Sequence, residues 1–453
     1  MKINAVVLAA GAGTRMKSRY PKVIHNVLDK PMILHVIDNL KKANVSDIIS
    51  VIGFQSEMVK DVVLDKSKYV YQTEQLGTGH AVMMAKELLE DVDGITIVIC
   101  GDTPLISSST IEQLIKYHVE KENKATILTG SLEDALSYGR IIRDKDDNVQ
   151  AIVECKDATP QQLRISEFNT GTYIFDNKEL FKALSLIGNS NAQNEYYLTD
   201  VISIMYENNL KVDGLILHDL EQTIGINDRK TLSFAALMLQ TRINEFHMCN
   251  GVTIVDPKNT YIGNDVTIGM DTIIYPNTMI YGNTVIGEDC YIGPDTYIEN
   301  SVIGDHNSIE FSHITDTEIK NNVKIGPFAR MRANVVIEDD CKIGNFVEFK
   351  STTFSKGSKS AHLSYIGDAT VGKNTNVGCG VITVNYDGAK KHQTIVGNDC
   401  FLGCNANLIA PVNIGDGSFI AAGTTVTDNV PVDSLAIGRK RQINKEGYFS
   451  KEK

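Results

Sequence analysis

Apolar and polar positions follow two different rules along this chain. Up to about residue 228, short apolar runs (Ala5–Ala10, Ile48–Ile52, Ile95–Cys100, Thr126–Leu128, Gly214–Leu217) alternate with helix-like stretches such as Met32–Ala43 and Gly79–Leu89. Runs that are short and continuously apolar suit strands covered on both faces. Strands separated by crossover helices predict an α/β fold with a mostly parallel, Rossmann-like sheet. Ligands of such sheets sit beyond the strand carboxyl ends. Asp228–Cys249 has few breakers and a helical apolar spacing at Leu232, Ala235, Leu239, Ile243 and Phe246, which predicts one long linking helix.

From about residue 251 the apolar period becomes six. Ile262, Ile268, Ile274, Ile280, Ile286, Ile292 and Ile298 form a ladder, several followed directly by Gly. It resumes at Ile325, Met331, Ile337, Ile343 and Phe349, and again at Val396, Leu402, Leu408, Ile414, Ile420 and Val426. Six residues hold one short strand and one turn. Three such units close one coil of a triangular parallel β-helix whose inward residues stack. An antiparallel sandwich would instead show period-two alternation. The expected organisation is therefore an α/β domain at 1–228, a linking helix at 229–250 and a hexapeptide-repeat β-helix at 251–453. Ladder residues are core, so chemistry belongs where the ladder breaks. One break is the Ser/Lys-rich stretch between Phe349 and Ile366, expected to leave the coil as a loop; a second lies around 385–393.

Charge narrows the partners. The 453 residues carry 44 Lys plus Arg against 56 Asp plus Glu, a net charge of −12, so no global basic field draws in nucleic acid or an anionic membrane. Phosphates must then be held locally. The apolar run Ala5–Ala10 is too short for a signal-peptide core or a bilayer span, and nothing longer replaces it, which points to the cytoplasm. Eight scattered Cys without a CxxC pair or a Cys/His cluster read as reduced thiols.

The segment from Leu8 to Met16, Leu-Ala-Ala-Gly-Ala-Gly-Thr-Arg-Met, follows the first strand. It is neither a P-loop nor G-x-G-x-x-G. Its small residues let backbone N–H groups approach phosphates, and Arg15 and Lys22 carry charge to neutralise them; a packing turn is the alternative. Asp102, just past the strand Ile95–Cys100 and with no nearby Lys partner in sequence, suits a hard cation such as Mg2+, or else caps a turn.

Taken together, Leu8–Met16 with Pro21-Lys22, Gln72–Ala81, Gly101–Leu105, Tyr138–Ile141, Ile152–Glu154, Asn169–Gly171 and Gly225–Arg229 resemble the signature of nucleotidyltransferases that make nucleotide sugars from sugar-1-phosphates. With the hexapeptide half, the chain from about residue 3 to 440 resembles the bacterial bifunctional N-acetylglucosamine-1-phosphate uridylyltransferase/glucosamine-1-phosphate acetyltransferase family. The resemblance implies that Asp102 and Asn227 hold Mg2+, and that Leu8, Ala9, Ala10, Gly11, Gln72, Gly77 and Thr78 hold the uridine of UTP. Gly139, Glu154 and Asn169 would hold GlcNAc-1-phosphate, with Lys22 and Arg15 as the catalytic cations.

His362 lies in the first ladder break, beside Ser and Lys residues. On its own it is an exposed polar residue or a base able to deprotonate an attacking amine. The resemblance makes it the general base. It also assigns glucosamine-1-phosphate to Arg332, Lys350, Tyr365, Asn376, Asn385 and Tyr386, and acetyl-CoA to Cys379, Cys404, Ala422 and Arg439. Glu348 is either a solvated strand carboxylate or the group that orients His362. The better-known members carry Ala in place of Cys379 and Ser in place of Cys404, which bears on CoA affinity. A left-handed β-helix and a homotrimer with acyl-CoA sites between neighbouring coils follow from the same resemblance. The competing readings are a nucleotidyltransferase whose β-helix only regulates or oligomerises it, and a non-enzymatic scaffold subunit.

Overall fold

The computed structural model describes residues 1–448 apart from position 136; the last five positions of the predicted repeat domain lie outside the described residues. Two compact units divide the chain, Met1–Leu239 and Gln240 onward.

In the first unit the sheet strands are β1 (Lys2–Ala9), β2 (Asp47–Ile52), β3 (Lys68–Tyr71), β4 (Gly94–Cys100), β5 (Ala125–Ser131), β6 (Arg140–Arg143), β7 (Val149–Val153), β8 (Glu167–Asp176) and β9 (Val212–Ile216). They order as β9-β5-β8-β4-β1-β2-β3, with β6 and β7 as a hairpin on β8. The pairs β1–β2, β1–β4 and β2–β3 are parallel; β8 runs antiparallel between β4 and β5. β1, β2 and β4 are buried nearly end to end, as their continuous apolar runs require. Met32–Lys42 forms the predicted helix and buries Met32, Ile33, Val36, Ile37 and Leu40. The stretch Gly79–Leu89, expected as one helix, is two: Thr78–Met83 and Lys86–Leu89, because Ala85 between them leaves helical geometry at φ −88°, ψ 1°.

The long helix spans Arg229–Cys249, entered through Asp228, whose Oδ1 accepts from Thr231 N at 2.8 Å. At its end, in the second unit, Gln240 Nε2 donates to the Thr260 carbonyl at 2.8 Å and Asn244 Nδ2 to the same oxygen at 3.0 Å, so two buried amides satisfy the first coil's backbone.

The second unit is a stack of parallel coils, consistent with a left-handed β-helix. Tyr261 pairs with Met279 and Met279 with Tyr297, an offset of 18 residues, or three hexapeptides. The ladder residues are buried, with Ile268 the one exception. Buried polar corners accompany them. Thr272 Oγ1 donates to Gly287 O at 2.8 Å, Ser358 Oγ to Gly372 O at 2.7 Å and Thr375 Oγ1 to Gly397 O at 2.9 Å. Cys290 and Cys400 play the same part through their thiols, each 3.2 Å from a turn carbonyl. Leaving such a carbonyl unpaired costs about 1–3 kcal/mol, so a small donor at this corner recurs coil after coil.

The first ladder break is not a loop. Lys342–Phe354 and Lys359–Val371 are two 13-residue strands paired in parallel, with Glu348 opposite Tyr365 and Phe349 opposite Ile366. The coil here is 17 residues rather than 18. Its Ser, Thr and Lys residues are outward positions and buried corner donors: Thr352 Oγ1 donates to Ile366 O at 2.8 Å. The second break does leave the coil. Ala369 pairs with Thr394, an offset of 25, and the surplus residues around 385–393 make a loop closed by a bridge between Tyr386 and Lys391. Among the described residues, no helix is long and apolar enough to cross a membrane.

Stack tightness gives a test. A methyl added at Gly344 would run into the Ala361 carbonyl of the next coil, whereas one added at Gly188 meets nothing within 4 Å. Gly344→Ala should destabilise the fold by roughly 1–3 kcal/mol, read as a lower urea midpoint, while Gly188→Ala stays close to the parent; equal midpoints would refute this packing.

Candidate functional site

The first cluster forms where the parallel strands of the first unit end. β1 delivers Leu8 and Ala9, Gln72 follows β3, and β4 ends at Cys100 with Asp102 two residues beyond. They surround a cleft of about 230 Å3 that Ala10, Gly11, Lys22, Gly77 and Thr78 also line. Sequence reading had these residues but missed Gln75 and Glu195, which complete the wall. Gln75 belongs to the quoted Gln72–Ala81 motif and could have been found there; Glu195 carries no local signal.

Two glycines make the cleft possible. Gly13 has φ +64°, and a Cβ there would sit 2.5 Å from Lys22 Cβ, so only glycine lets the lysine stem cross the loop. Gly77, at φ +112°, packs against the Tyr196 backbone, and Tyr196 N donates to Leu76 O at 2.8 Å. Beside it, Gln72 is buried and its Nε2 donates to Gly77 O at 3.0 Å and lies 3.1 Å from His80 Nδ1. His80, also missed from sequence, thereby fixes which way the Gln72 amide points. Thr78 Oγ1 accepts from Leu198 N at 3.1 Å.

The electrostatics differ from the expectation. Asp102 has no lysine near it in sequence, but the fold brings Lys22 to it: the ammonium pairs with Asp102 Oδ2 and donates to Asn227 Oδ1 at 3.0 Å. Arg15 Nη2 donates to the same Asn227 oxygen at 2.9 Å, and Ile226 N to Asp102 O at 2.9 Å. Two hard oxygens, one carboxylate and one amide, thus converge on a single cationic group. That donor set fits Mg2+, provided phosphates and water supply the remaining ligands, since among the described residues no group of three or more His, Cys, Asp or Glu could hold a metal ion.

The predicted sugar residues lie along the neighbouring strands. A bulge in β8 between Asn169 and Thr172, with Gly171 at φ +81°, turns Asn169 inward. Asn169 N donates to Gly139 O at 2.9 Å, and Asn169 Nδ2 to the Tyr173 hydroxyl at 2.7 Å. Glu154 lies beside Gly139 and lines an adjoining acidic cleft with Asp157 and Asp200. Burial raises the Glu154 carboxyl above its ordinary range, and the two aspartates add to the shift.

In the second unit the coil register does the positioning. Arg332 pairs with Lys350 and Lys350 with Gly367, stacking these positions on successive coils of one face. A Cβ on Gly367 would run into the Tyr365 hydroxyl, so the glycine leaves room for that ring. Lys350 Nζ lies 3.4 Å from Asp368 Oδ2, Asn385 Nδ2 donates to the same oxygen at 2.5 Å and to Tyr365 Oη at 3.3 Å. The inserted loop adds Lys391, which sequence reading passed over. The positive charge of Lys350 beside it holds Lys391 below the usual lysine range. Two such groups pressed together are a site built for an anion.

Two expected members stand apart. Asn376 lies on the preceding face, opposite Lys359 and Phe401, and shares no hydrogen bond with this cluster. Tyr386 is exposed and donates to Gly388 O within its own loop.

His362 is a strand residue at a coil corner, opposite Asn345. Its Nδ1 lies 2.7 Å from Asn345 Oδ1. An amide oxygen only accepts, so Nδ1 carries the hydrogen, and whenever the ring is neutral the lone pair is on Nε2. Glu348, read as a solvated carboxylate or as the group that orients His362, pairs with Arg332, whose Nε is 2.7 Å away at an angle poor for a hydrogen bond. The reason is pleat: Glu348 and Arg332 sit near the strand centre, while the corner column above Asn345 is His362. That column continues. Asn405 N donates to Cys379 O at 2.7 Å, Gly423 N to Cys404 O at 2.8 Å, and Arg439 Nη1 to Ala422 O at 2.5 Å. The four residues expected to hold acetyl-CoA therefore run along one corner from His362.

Known proteins resemble the chain in both units. A family model described as nucleotidyl transferase covers residues 4–219, and one described as bacterial transferase hexapeptide covers 316–351 and 393–428. Proteins named "Bifunctional protein GlmU" are similar over the full length. That of Geobacillus sp. (strain WCH70) is 53% identical over 451 residues, all of this chain and 98% of the relative. Those of Listeria monocytogenes serotype 4b (strain CLIP80459) and Exiguobacterium sp. (strain ATCC BAA-1283 / AT1b) are 52% and 51% identical, over 99% of this chain and 98% and 99% of theirs. With a nucleotidyl-transferase unit and a hexapeptide unit joined in one chain and identity running end to end, the chain belongs to the bifunctional GlmU family.

Proposed function

We propose a division of labour for the two activities of this enzyme of UDP-GlcNAc synthesis, which is both a uridylyltransferase and an acetyltransferase. Residues 251–453 acetylate glucosamine-1-phosphate with acetyl-CoA, residues 1–228 transfer UMP from UTP to the resulting GlcNAc-1-phosphate, and 229–250 link them. The observation that carries the reading is the pairing of His362 with Asn345 on the same two strands that carry Lys350, which is held by Asp368.

For acetyl transfer, Arg332, Lys350 and Lys391 clamp the sugar phosphate, and Tyr365 and Asn385 set the ring against the corner. His362 Nε2 takes the proton of the amine as its nitrogen attacks the thioester carbon; the CoA thiolate departs and accepts a proton. Acetyl-CoA lies along Cys379, Cys404, Ala422 and Arg439. For uridylyl transfer, Gln72 Oε1 and the backbone of Leu8–Gly11 read the uracil, and Glu154, Asn169 and Gly139 hold the sugar. An oxygen of GlcNAc-1-phosphate attacks the α-phosphorus and pyrophosphate leaves. Lys22 and Arg15 offset the repulsion between two polyanions in this alignment. Asp102 and Asn227 would hold Mg2+, which neutralises phosphate charge once bound. We place the enzyme in the cytoplasm as a homotrimer. A line of exposed apolar residues, Phe328, Phe346 and Leu363, next to the His362 column supports assembly.

Asp102→Ala should abolish pyrophosphate release from UTP plus GlcNAc-1-phosphate while sparing CoA release from acetyl-CoA plus glucosamine-1-phosphate, and His362→Ala should do the reverse. Loss of both activities in a folded single variant would sink the two-site division.

Asn345 gives a sharper test of the base. A carboxylate in its place favours the imidazolium, so Asn345→Asp should move the acid limb of the acetyl-transfer kcat profile upward by about one pH unit or more. Asn345→Ala should lower kcat with the limb near its parent position. A limb that stays put in Asn345→Asp would remove Asn345 from the catalytic ring.

A further inference from the structure

Cys379 and Cys404 are the two column positions that come after His362 on successive coils. The bond from Asn405 N to Cys379 O at 2.7 Å fixes their register. Both lie in turns, two residues after Val377 and Leu402, which pair in parallel; coils stacked at the strand spacing of about 4.8 Å fall inside the roughly 4.4–6.8 Å Cα separation that a disulfide bridges. Cys404 is exposed and Cys379 half-buried. Among the described residues neither thiol makes a hydrogen bond. Cys290, Cys341 and Cys400 behave differently: they are buried and committed to corner carbonyls, and burial pushes Cys341 up to about 11. The coil thus places two accessible, uncommitted thiols side by side, at the corner that leads to His362.

We propose that Cys379 and Cys404 form a redox-sensitive dithiol, oxidised to an intrachain disulfide by a low-molecular-weight disulfide, which stops acetyl transfer and leaves uridylyl transfer running. The step balances by two exchanges. The exposed Cys404 thiolate attacks one sulfur of the small disulfide, forming a mixed disulfide and releasing one small thiolate. The Cys379 thiolate then attacks the Cys404 sulfur, the Cys379–Cys404 bond forms, and the second small thiolate leaves. The protein loses two electrons and two protons; the oxidant gains them as two thiols. The inhibitory consequence rests on the proposed placement of acetyl-CoA along this column, because the bridge draws together two groups on which the cosubstrate would lie.

The test uses the reduced full chain and oxidised glutathione. Expected are a mass lower by two hydrogens, two fewer titratable thiols, a bridge mapped to Cys379 and Cys404, and acetyl transfer reduced about tenfold, the effect of removing one well-made hydrogen bond to the cosubstrate. Dithiothreitol should restore the rate, and pyrophosphate release should be unchanged throughout. Cys379→Ala should stop at a stable glutathione adduct on Cys404, and Cys404→Ser should form no bridge; each is compared with its own untreated rate. A stable adduct on the parent chain, a full set of thiols after treatment, or a bridge elsewhere would overturn the dithiol. A mapped bridge with acetyl transfer at the untreated rate would overturn the switch and the placement of acetyl-CoA on the column, with the dithiol standing.

Discussion

Both units depend on parallel strand pairing, and the two kinds of site are its two geometric consequences. In an open parallel sheet every strand ends on the same side, so loops from Leu8, Gln72 and Asp102, far apart in sequence, must converge. In a coil stack every residue sits above its counterpart one turn earlier, so side chains align in columns. Asn345 under His362, and Arg332, Lys350 and Gly367 on one face, are properties of register rather than of local sequence. A change of one residue in coil length shifts the numbering of every later column, and offsets of 16, 17 and 18 residues all occur along the stack.

The pairing also explains how an acidic chain manages polyanions. Each site concentrates positive charge in a place where the fold already supplies partial compensation. Lys22 rests between Asp102 and Asn227, and Lys350 leans on Asp368. These ion pairs are partly solvated, so their direct worth to stability is small. Their larger role is to hold long side chains in one rotamer, which reduces the ordering needed when a phosphate arrives. Net charge of −12 therefore does not describe the environment of these lysines.

Much of this was legible before any coordinates. Apolar runs marked β1, β2 and β4, and the six-residue ladder marked the coils, because burial on both faces or in a closed prism leaves a continuous signature. The errors share one cause. The Ser/Thr/Lys stretch at 351–365 read as a loop because polarity was taken as departure from the core, whereas a coil wall needs outward polar residues and buried hydroxyl donors such as Thr352 and Ser358. Glu348 was one candidate to orient His362, through the strand face it shares with Lys350; the residue opposite His362, Asn345, is 17 positions away and needs the coil length to be known. Asp102 looked unpartnered for the same reason, since its lysine is 80 residues earlier. Antiparallel β8 gave no distinctive run, as its bulge at Asn169 interrupts the pattern.

The corner beside the His362 column shows what a column can cost. Phe328, Phe346 and Leu363 adopt φ values of +60°, +58° and +42°, a region that Asn, Asp and Gly fill at most other corners. A bulky side chain there is strained by roughly 1–3 kcal/mol, and here the strained residues are also exposed apolar ones. Coil-to-coil bonds, Phe346 N to Phe328 O at 3.0 Å and Gly380 N to Leu363 O at 2.7 Å, and the stacked Phe328 and Phe346 rings offset part of it. At the next coils the position reverts to Gly380, Asn405 and Gly423, the undemanding choices. Left-handed apolar residues thus run from Phe311 through Phe328 and Phe346 to Leu363, over the coils that lead up to His362, and end where the column passes to Cys379.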